Sequence, residues 1–284
     1  MPHKTSPDST RKAVKEAERV VLKVGTRVLT HDDGHLALAR LFQLIETAAS
    51  LRREGRDVLI VSSGAVGLGR DALGLAKRSV DLSTKQACAA VGQSRLMGLY
   101  QEGFSRLGLV CAQVLLTQTD FATSERHDTL RRALVRLLAL GVIPVINEND
   151  VVSTVELETA SMNGAPIFGD NDQLSALVAT QLEAHLLVLL TDVPGVYARD
   201  PHRDPSAPLL SEVKDGDALD IDLSGKSSHA GRGGMRTKVE AARLATKAGC
   251  HAVITSGLAM ETLGEVMAGK PLGTWFVAAP RGKA

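Results

Sequence analysis

At 284 residues, 44% of them apolar, the chain can bury a substantial core in one large or two small domains. Lys plus Arg number 33 against 32 Asp plus Glu, and a net charge of +1 gives no general pull toward nucleic acid or an acidic membrane. Aromatics make up 3% of the chain, which disfavours modules that stack bases, and no run approaches the roughly 18 apolar residues of a membrane span.

The first ten residues, MPHKTSPDST, are polar, without the apolar segment a secretory signal needs, and read as the start of a mobile tail over residues 1–18. Cys88, Cys111 and Cys250 are scattered without metal-ligand spacing, so a reduced, cytoplasmic setting is expected. Arg19 to Thr30, RVVLKVGTRVLT, is a β-branched run read as a strand interrupted by Lys23 and Gly25. Leu38, Leu41, Ile45, Ala48 and Ala49 recur at helical spacing, Gly55 stops that helix, and Val58 to Val61 is the next strand. Ser62-Ser63-Gly64 then leads into a small-residue segment, and Ser83 with Gln86 forms a capping-box pattern opening a helix to about Leu107.

Val110 to Leu116 reads as a strand, Ser124 to Leu140 as an amphipathic helix, and Val142 to Ile146 as a strand ending in Asn147-Glu148-Asn149-Asp150. Gly169-Asp170-Asn171-Asp172 precedes a helix to about Leu182, and Leu186 to Leu190 is an apolar strand closed by Thr191-Asp192. A helix over Met235 to Ala248, a strand from Ala252 to Thr255, and a last helix and strand closing at Phe276 complete the alternation. Glu156 to Ile167 is aperiodic and reads as a loop over a site; Asp200 to Gly234 reads as a linker or a nucleotide lid. The order predicts an α/β protein, a three-layer αβα sandwich with a largely parallel central sheet.

In such a sheet the loops leaving the carboxyl ends of strands face the ligand crevice, which makes Thr191, Asp192 and the Asp170-Asn171-Asp172 cluster site candidates. The plain alternative is that Asp170 or Asn171 only caps a helix and Asp192-Pro194-Gly195 only turns the chain. Lys23 stands in a buried-strand pattern that does not ordinarily hold an ammonium, so it needs an anionic partner. Ser62-Ser63-Gly64, between a strand end and a helix start, offers backbone N–H groups to a carboxylate or phosphate, unless it is an ordinary serine cap. In GRGGMRTK (231–238) a glycine loop runs into a helix with Lys238 in its first turns, where the dipole disfavours a cation. A compensating phosphate is expected there, or else Lys238 is simply solvated.

Gly67-Leu68-Gly69-Arg70-Asp71-Ala72 fits a dinucleotide fingerprint but starts six residues beyond Val61 and lacks the acidic residue at the end of a second strand. Gly225-Lys226-Ser227 has a Walker A ending, with Asp220 where the first glycine belongs, so there is no P-loop. Phosphoryl transfer needs positive charge on the moving group and little covalent help. Lys23 and Lys238, oriented by Asp172, are a sufficient set for it.

The segments LKVGT (22–26), SSGAV (62–66), KQACAAVGQSRLM (85–97), VINEND (145–150), FGDNDQLSALVA (168–179), LLTDVPGVYARDP (189–201) and GRGGMRTK (231–238) carry a resemblance over nearly all of residues 19–277. The chain resembles the amino acid kinase superfamily and, within it, the glutamate 5-kinases. The resemblance implies transfer of the γ-phosphoryl group of ATP to the side-chain carboxylate of L-glutamate. The product is the labile acyl phosphate L-glutamate 5-phosphate, the first step toward proline, and Mg2+ would bridge the nucleotide phosphates.

Carried over by motif, Lys23 and Lys238 would stabilise the transferring group and Asp172 would hold both lysines. Ser63, Asp150 and Asn171 would bind glutamate, with Asp170 and Asn147 nearby. Lys23, Thr191, Asp192 and the loop Arg232, Gly233, Gly234, Met235, Arg236, Thr237 and Lys238 would bind ATP. The resemblance implies a kinase domain over 19–284 with glutamate on its N-terminal half and ATP on its C-terminal half. A homo-oligomer and feedback inhibition by proline are family traits, and neither nucleic acid nor membrane is an expected partner. Three departures stand out: an insertion of about ten residues at Glu158 to Ile167 near the glutamate pocket, Arg232 and Arg236 where small hydroxyl residues are usual, and the expected lack of a C-terminal PUA domain.

Overall fold

The runs RVVLKV, DVLIVS and LLVLLT are apolar on both of their faces, the pattern of strands covered by helices above and below. A computed structural model describes residues 12–75, 80–152, 170–199, 201, 204–214, 234–259 and 261–279. Its strands are β1 (Arg19–Val24), β2 (Asp57–Ser62), β3 (Cys111–Leu116), β4 (Ile143–Glu148), β5 (Leu186–Thr191), β6 (Glu212–Val213), β7 (His251–Ser256) and β8 (Thr274–Phe276). Its helices are α1 (Thr26–Leu29), α2 (Leu38–Arg53), α3 (Ala65–Ala72), α4 (Leu82–Arg106), α5 (Ser124–Ala139), α6 (Asn171–Gln181), α7 (Met235–Lys247) and α8 (Thr262–Met267).

The strands form one sheet in the order β3-β4-β2-β1-β5-β7-β8-β6. From β3 to β7 every pairing is parallel; β8 runs antiparallel to β7, and β6 pairs parallel with β8. The chain leaves β1 toward β2 on one side and adds β5 on the other, so the sheet order reverses at β1. Ligands in open α/β sheets bind in the crevice beyond the carboxyl ends of strands at such a reversal.

Side chains along a strand alternate between faces. Val20, Leu22 and Val24 of β1 join the core beneath α2, α4 and α8, while Val21 joins the core beneath α5, α6 and α7. Lys23 therefore shares the second face with Val21. In β4, Ile143 and Val145 belong to the first core and Ile146 to the second, so Asn147 looks toward α4. This alternation distributes the polar groups described below.

Four local expectations are corrected. Thr26–Leu29 is a helical turn rather than a continuation of the first strand: Gly25 ends the strand, and its carbonyl accepts from the N–H groups of Val28 and Leu29 at 3.1 and 3.3 Å. Helix α4 is capped by Asp81, whose carboxylate accepts from the Thr84 N–H at 2.9 Å, while Ser83 donates its hydroxyl to Asp81. A carboxylate outcompetes a hydroxyl there because it also meets the positive end of the helix dipole. The described end of the expected tail is packed, with Val14 and Ala17 buried on the first core. The two-residue strand β6 lies within the segment read as a linker or a nucleotide lid, too short to leave a periodic signal. Residues 1–11, the inserted loop and most of Asp200 to Gly234, including Gly225-Lys226-Ser227, lie outside the described residues.

The two glycines of GLGRDA lie in a helix, α3, and Gly69 serves its packing. There a Cβ on Gly69 would stand 1.8 Å from the Cys88 carbonyl oxygen of α4. A Cβ on Gly92 of α4 would meet the Ala65 carbonyl at the same 1.8 Å. Two helices in backbone contact, and not a dinucleotide turn, explain Gly69.

Candidate active site

Strand β1 delivers Lys23 to the crevice with Val61 of β2 and Leu189 of β5 as its register neighbours. Its Nζ lies 2.7 Å from Asp172 Oδ1, in the first turn of α6. Lys238, in the first turn of α7, reaches the other oxygen, Oδ2, at 3.2 Å, and Thr237 donates its hydroxyl to the same oxygen at 2.7 Å. All three charged groups are buried, Lys23 at 5%, Lys238 at 7% and Asp172 at 1% exposure. Burial pushes the Asp172 carboxyl up, but the two ammonium groups and Thr237 outweigh it and hold the group down at about 2.

Both sequence expectations about cations meet one residue. The anion that Lys23 needs and the charge that compensates Lys238 at a helix N-terminus are the same Asp172 carboxylate, so a bound phosphate is not required to explain either lysine. Two cations share one anion, which leaves the group of Lys23, Asp172 and Lys238 with one positive charge in excess.

Asp170 is the N-cap of α6: its Oδ1 accepts from the N–H groups of Asp172 and Gln173 at 3.0 and 3.1 Å. The capping alternative thus holds for one oxygen, while Oδ2 is buried and has no hydrogen-bond donor among the described residues. Burial, and behind it the charge of Asp172, pushes this carboxyl up.

On the other side of the crevice Asn171 Nδ2 lies 3.1 Å from Ser63 Oγ, 3.0 Å from Asn147 Oδ1 and 3.3 Å from the Ser62 carbonyl. Asn147 Nδ2 donates to Gln93 Oε1 of α4 at 2.8 Å. Ser62 Oγ stands 3.0 Å from the Tyr100 hydroxyl, also on α4, and burial pushes that phenol up. The turn after β2 depends on Gly64, whose φ of 103° suits no residue with a side chain. The Ser63 N–H is taken by the Val24 carbonyl at 3.1 Å, so the anion grip expected here rests on the Ser63 hydroxyl and the first turn of α3. Asp150 is half-buried in the turn after β4.

At the end of β5 Thr191 donates its hydroxyl to Asp192 Oδ1 at 3.0 Å, and Arg27 of α1 binds Oδ2 at 2.6 Å. Burial works against it, but Arg27 and Thr191 hold the Asp192 carboxyl below the ordinary carboxylate range. Met235 packs against the second core. Arg236 is turned to the surface, where its Nε pairs with Glu240 one turn along α7 at 2.8 Å. Gly234 is the N-cap residue of α7, and Arg232 and Gly233 lie outside the described residues.

The structure therefore brings Lys23, Asp172, Thr237 and Lys238 into one group and Ser63, Asn147 and Asn171 into another, with Thr191 and Asp192 at the neighbouring strand end. Sequence reasoning missed Gln93, Tyr100 and Arg27. Gln93 stood inside a family segment without a role, and Arg27 was hidden by reading its segment as a strand.

A family model described as the amino acid kinase family matches residues 18–256, and the chain belongs to that family. Curated relatives named glutamate 5-kinase place it further. One from Symbiobacterium thermophilum is 44% identical over 94% of this chain and 98% of the relative. One from Acaryochloris marina is 46% identical over 93% of this chain and 70% of the relative, and one from Geobacter sp. is 46% identical over 95% and 70%. Within the family, the chain's branch is that of the glutamate 5-kinases. Among solved structures, an isopentenyl phosphate kinase from T. acidophilum superposes with a TM-score of 0.61 at 18% identity, over 91% of this chain and 99% of that one. That likeness is one of fold.

Proposed function

We infer that the protein transfers the γ-phosphoryl group of ATP to the side-chain carboxylate of L-glutamate, giving L-glutamate 5-phosphate for proline synthesis. The observation that carries this reading is the Asp172 carboxylate held between Lys23 and Lys238, one lysine from the centre of the sheet and one from the helix after the glycine loop. Relatives that share the name glutamate 5-kinase over most of the chain support the acceptor.

A glutamate side chain, with an ordinary pKa of about 4.3, is already ionised near neutrality, so its oxygen attacks phosphorus without giving up a proton. No general base is needed. Asp172, held at about 2, is a poor base in any case, and its work is to fix the two ammonium groups. As the bond from the γ-phosphorus to the bridging oxygen of ADP breaks and the bond to the carboxylate oxygen forms, charge spreads over the phosphoryl oxygens. Lys23 and Lys238 stand ready to meet it, already desolvated and aligned.

Ser63 Oγ and the first turn of α3 suit the α-carboxylate; Asn171 and Asp150 suit the α-ammonium, beside Asn147 and Asp170. Thr191, Asp192, and the residues from Gly234 to Lys238, together with Arg232 and Gly233, are assigned to ATP. Mg2+ is the divalent ion of this reading. Among the described residues no group of three His, Cys, Asp or Glu forms a resident cage. Asp170 Oδ2, buried and without a donor among the described residues, is the carboxylate oxygen that would hold an ion brought in by the nucleotide phosphates. When bound it neutralises charge on the β- and γ-phosphates.

The test is incubation with ATP, L-glutamate and hydroxylamine, which traps an acyl phosphate. ADP and γ-glutamyl hydroxamate are expected. Hydroxamate from aspartate or N-acetylglutamate but not from glutamate would assign a sister kinase, and none from any acid would make the chain a silent homologue. Cytoplasmic location, homo-oligomeric assembly and inhibition by proline belong to the same reading; fractionation, light scattering and the same assay with added proline test them.

A further inference from the structure

Gln93 lies two turns before Tyr100 on the same side of α4, only 8% exposed beside the first core. A polar side chain that deep needs a reason. Its Oε1 accepts from Asn147 Nδ2 at 2.8 Å, and Asn147 Oδ1 accepts in turn from Asn171 Nδ2 at 3.0 Å. We propose that Gln93 is a positioning residue for the amino-acid substrate, fixing Asn171 through the side-chain amide of Asn147. The proposal rests on the assignment of Asn171 to the amino-acid half of the site.

A chain of side-chain amides can run in either direction, because oxygen and nitrogen exchange places by a flip. Here two backbone groups that cannot flip choose the direction. The Glu148 N–H donates to Asn147 Oδ1 at 2.9 Å, and the Ser62 carbonyl accepts from Asn171 Nδ2 at 3.3 Å. With the oxygen of Asn147 held by Glu148, its Nδ2 must point at α4, and Gln93 Oε1 is the acceptor that meets it there.

At the far end of the chain Asn171 spends its nitrogen on Asn147, Ser63 and Ser62, so its Oδ1 stays buried without a donor among the described residues. The site therefore presents an acceptor, which suits an ammonium and repels a carboxylate. Removing the Gln93 oxygen strands a buried donor on Asn147. Any reorientation that relieves it takes away the acceptor on which Asn171 leans. A purely structural glutamine would lower stability without distinguishing the two substrates; a positioning one distinguishes them.

Gln93→Met keeps the length and removes the acceptor, while Gln93→Glu keeps an acceptor oxygen. In the full chain, Gln93→Met is expected to raise KM for glutamate about tenfold, with Gln93→Glu returning it to within about threefold and KM for ATP unmoved in both. A second readout needs no substrate: in protein labelled with 15N at asparagine, the side-chain NH2 signals of Asn147 and Asn171 should both shift in Gln93→Met. Should Met fail to pack, Gln93→Leu removes the same acceptor at smaller volume. An unmoved Asn171 signal in the folded variant, or equal rises in both KM values, would overturn the proposal. If the wild-type chain makes no glutamyl hydroxamate, the substrate reading fails on its own, and the asparagine signals still decide the role of Gln93.

Discussion

Two buried polar clusters meet at consecutive residues, Asn171 and Asp172, and are made of opposite materials. On one face of the sheet Lys23, Asp172 and Lys238 form a charged group with one anion for two cations. On the other, Gln93 and Asn147 begin a neutral line of amides that Asn171 joins from the start of α6, its direction fixed by the backbone. The period-two alternation of β1 and β4 sends Lys23 and Asn147 to opposite faces. A buried charge persists only when paired, and a pair with charge left over can stabilise more of the opposite sign. A buried amide is bound by direction, and what it offers a ligand is a donor or an acceptor at a fixed place. The proposed division follows: the charged cluster acts on the transition state and the amide cluster selects the amino acid.

Breaking the charged side should have the largest effect. Lys238→Ala leaves Asp172 paired with Lys23 and Thr237, so the circular dichroism spectrum should be unchanged while kcat falls by about three orders of magnitude or more. Asp172→Asn removes the carboxylate that pairs directly with two buried ammonium groups and should cost about 3–5 kcal/mol in denaturant unfolding as well as turnover. The same residue sets an acid limb. Its folded value of about 2 lies below the ordinary 3.8, so its contribution to stability is full above about pH 4 and lost as pH falls toward 2. Asp172→Asn should flatten that limb, and an unchanged limb would show that other carboxylates set it.

The smallest effect sharpens the comparison on the nucleotide side. Arg27 holds Asp192 from a partly exposed position, where screening limits its worth. Arg27→Ala should raise KM for ATP by about threefold, more at low salt than at high, and leave KM for glutamate alone. An equal change for both substrates would remove Arg27 from the nucleotide side.

How much of this could be read in the sequence follows the range of the forces involved. The alternation of strands and helices is local, and the parallel sheet with its two faces came through, as did the need of Lys23 for an anion. The identity of that anion is not a local signal: it is the needs of phosphoryl transfer and the family resemblance that name Asp172 as the residue orienting both lysines. Asp172 is 66 residues from Lys238, and only the crossing of α6 and α7 over the sheet joins them. For Lys238 the residues alone also suggest a compensating phosphate, or plain solvation. Gln93 looks like a solvated position in a helical repeat, because its partner lies on a strand 54 residues later. Gly67 and Gly69 of α3 mimicked a phosphate turn, and at Gly69 the reason is close backbone approach, which demands glycine whether the neighbour is a ligand or a second helix. The local signal at Asp81, an acidic side chain just before a helix, was available and was passed over for the serine two residues on.

The division of labour is tested most directly by steady-state kinetics of two variants in one assay, hydroxamate formation from ATP and glutamate. Lys238→Ala should lose kcat by about three orders of magnitude with KM for glutamate changed less than about threefold. Asn147→Leu should keep kcat within about threefold and raise KM for glutamate about tenfold to a hundredfold, with KM for ATP unchanged. If both variants lowered kcat alike and left both KM values in place, the two clusters would be one catalytic unit and the separation drawn here would be wrong.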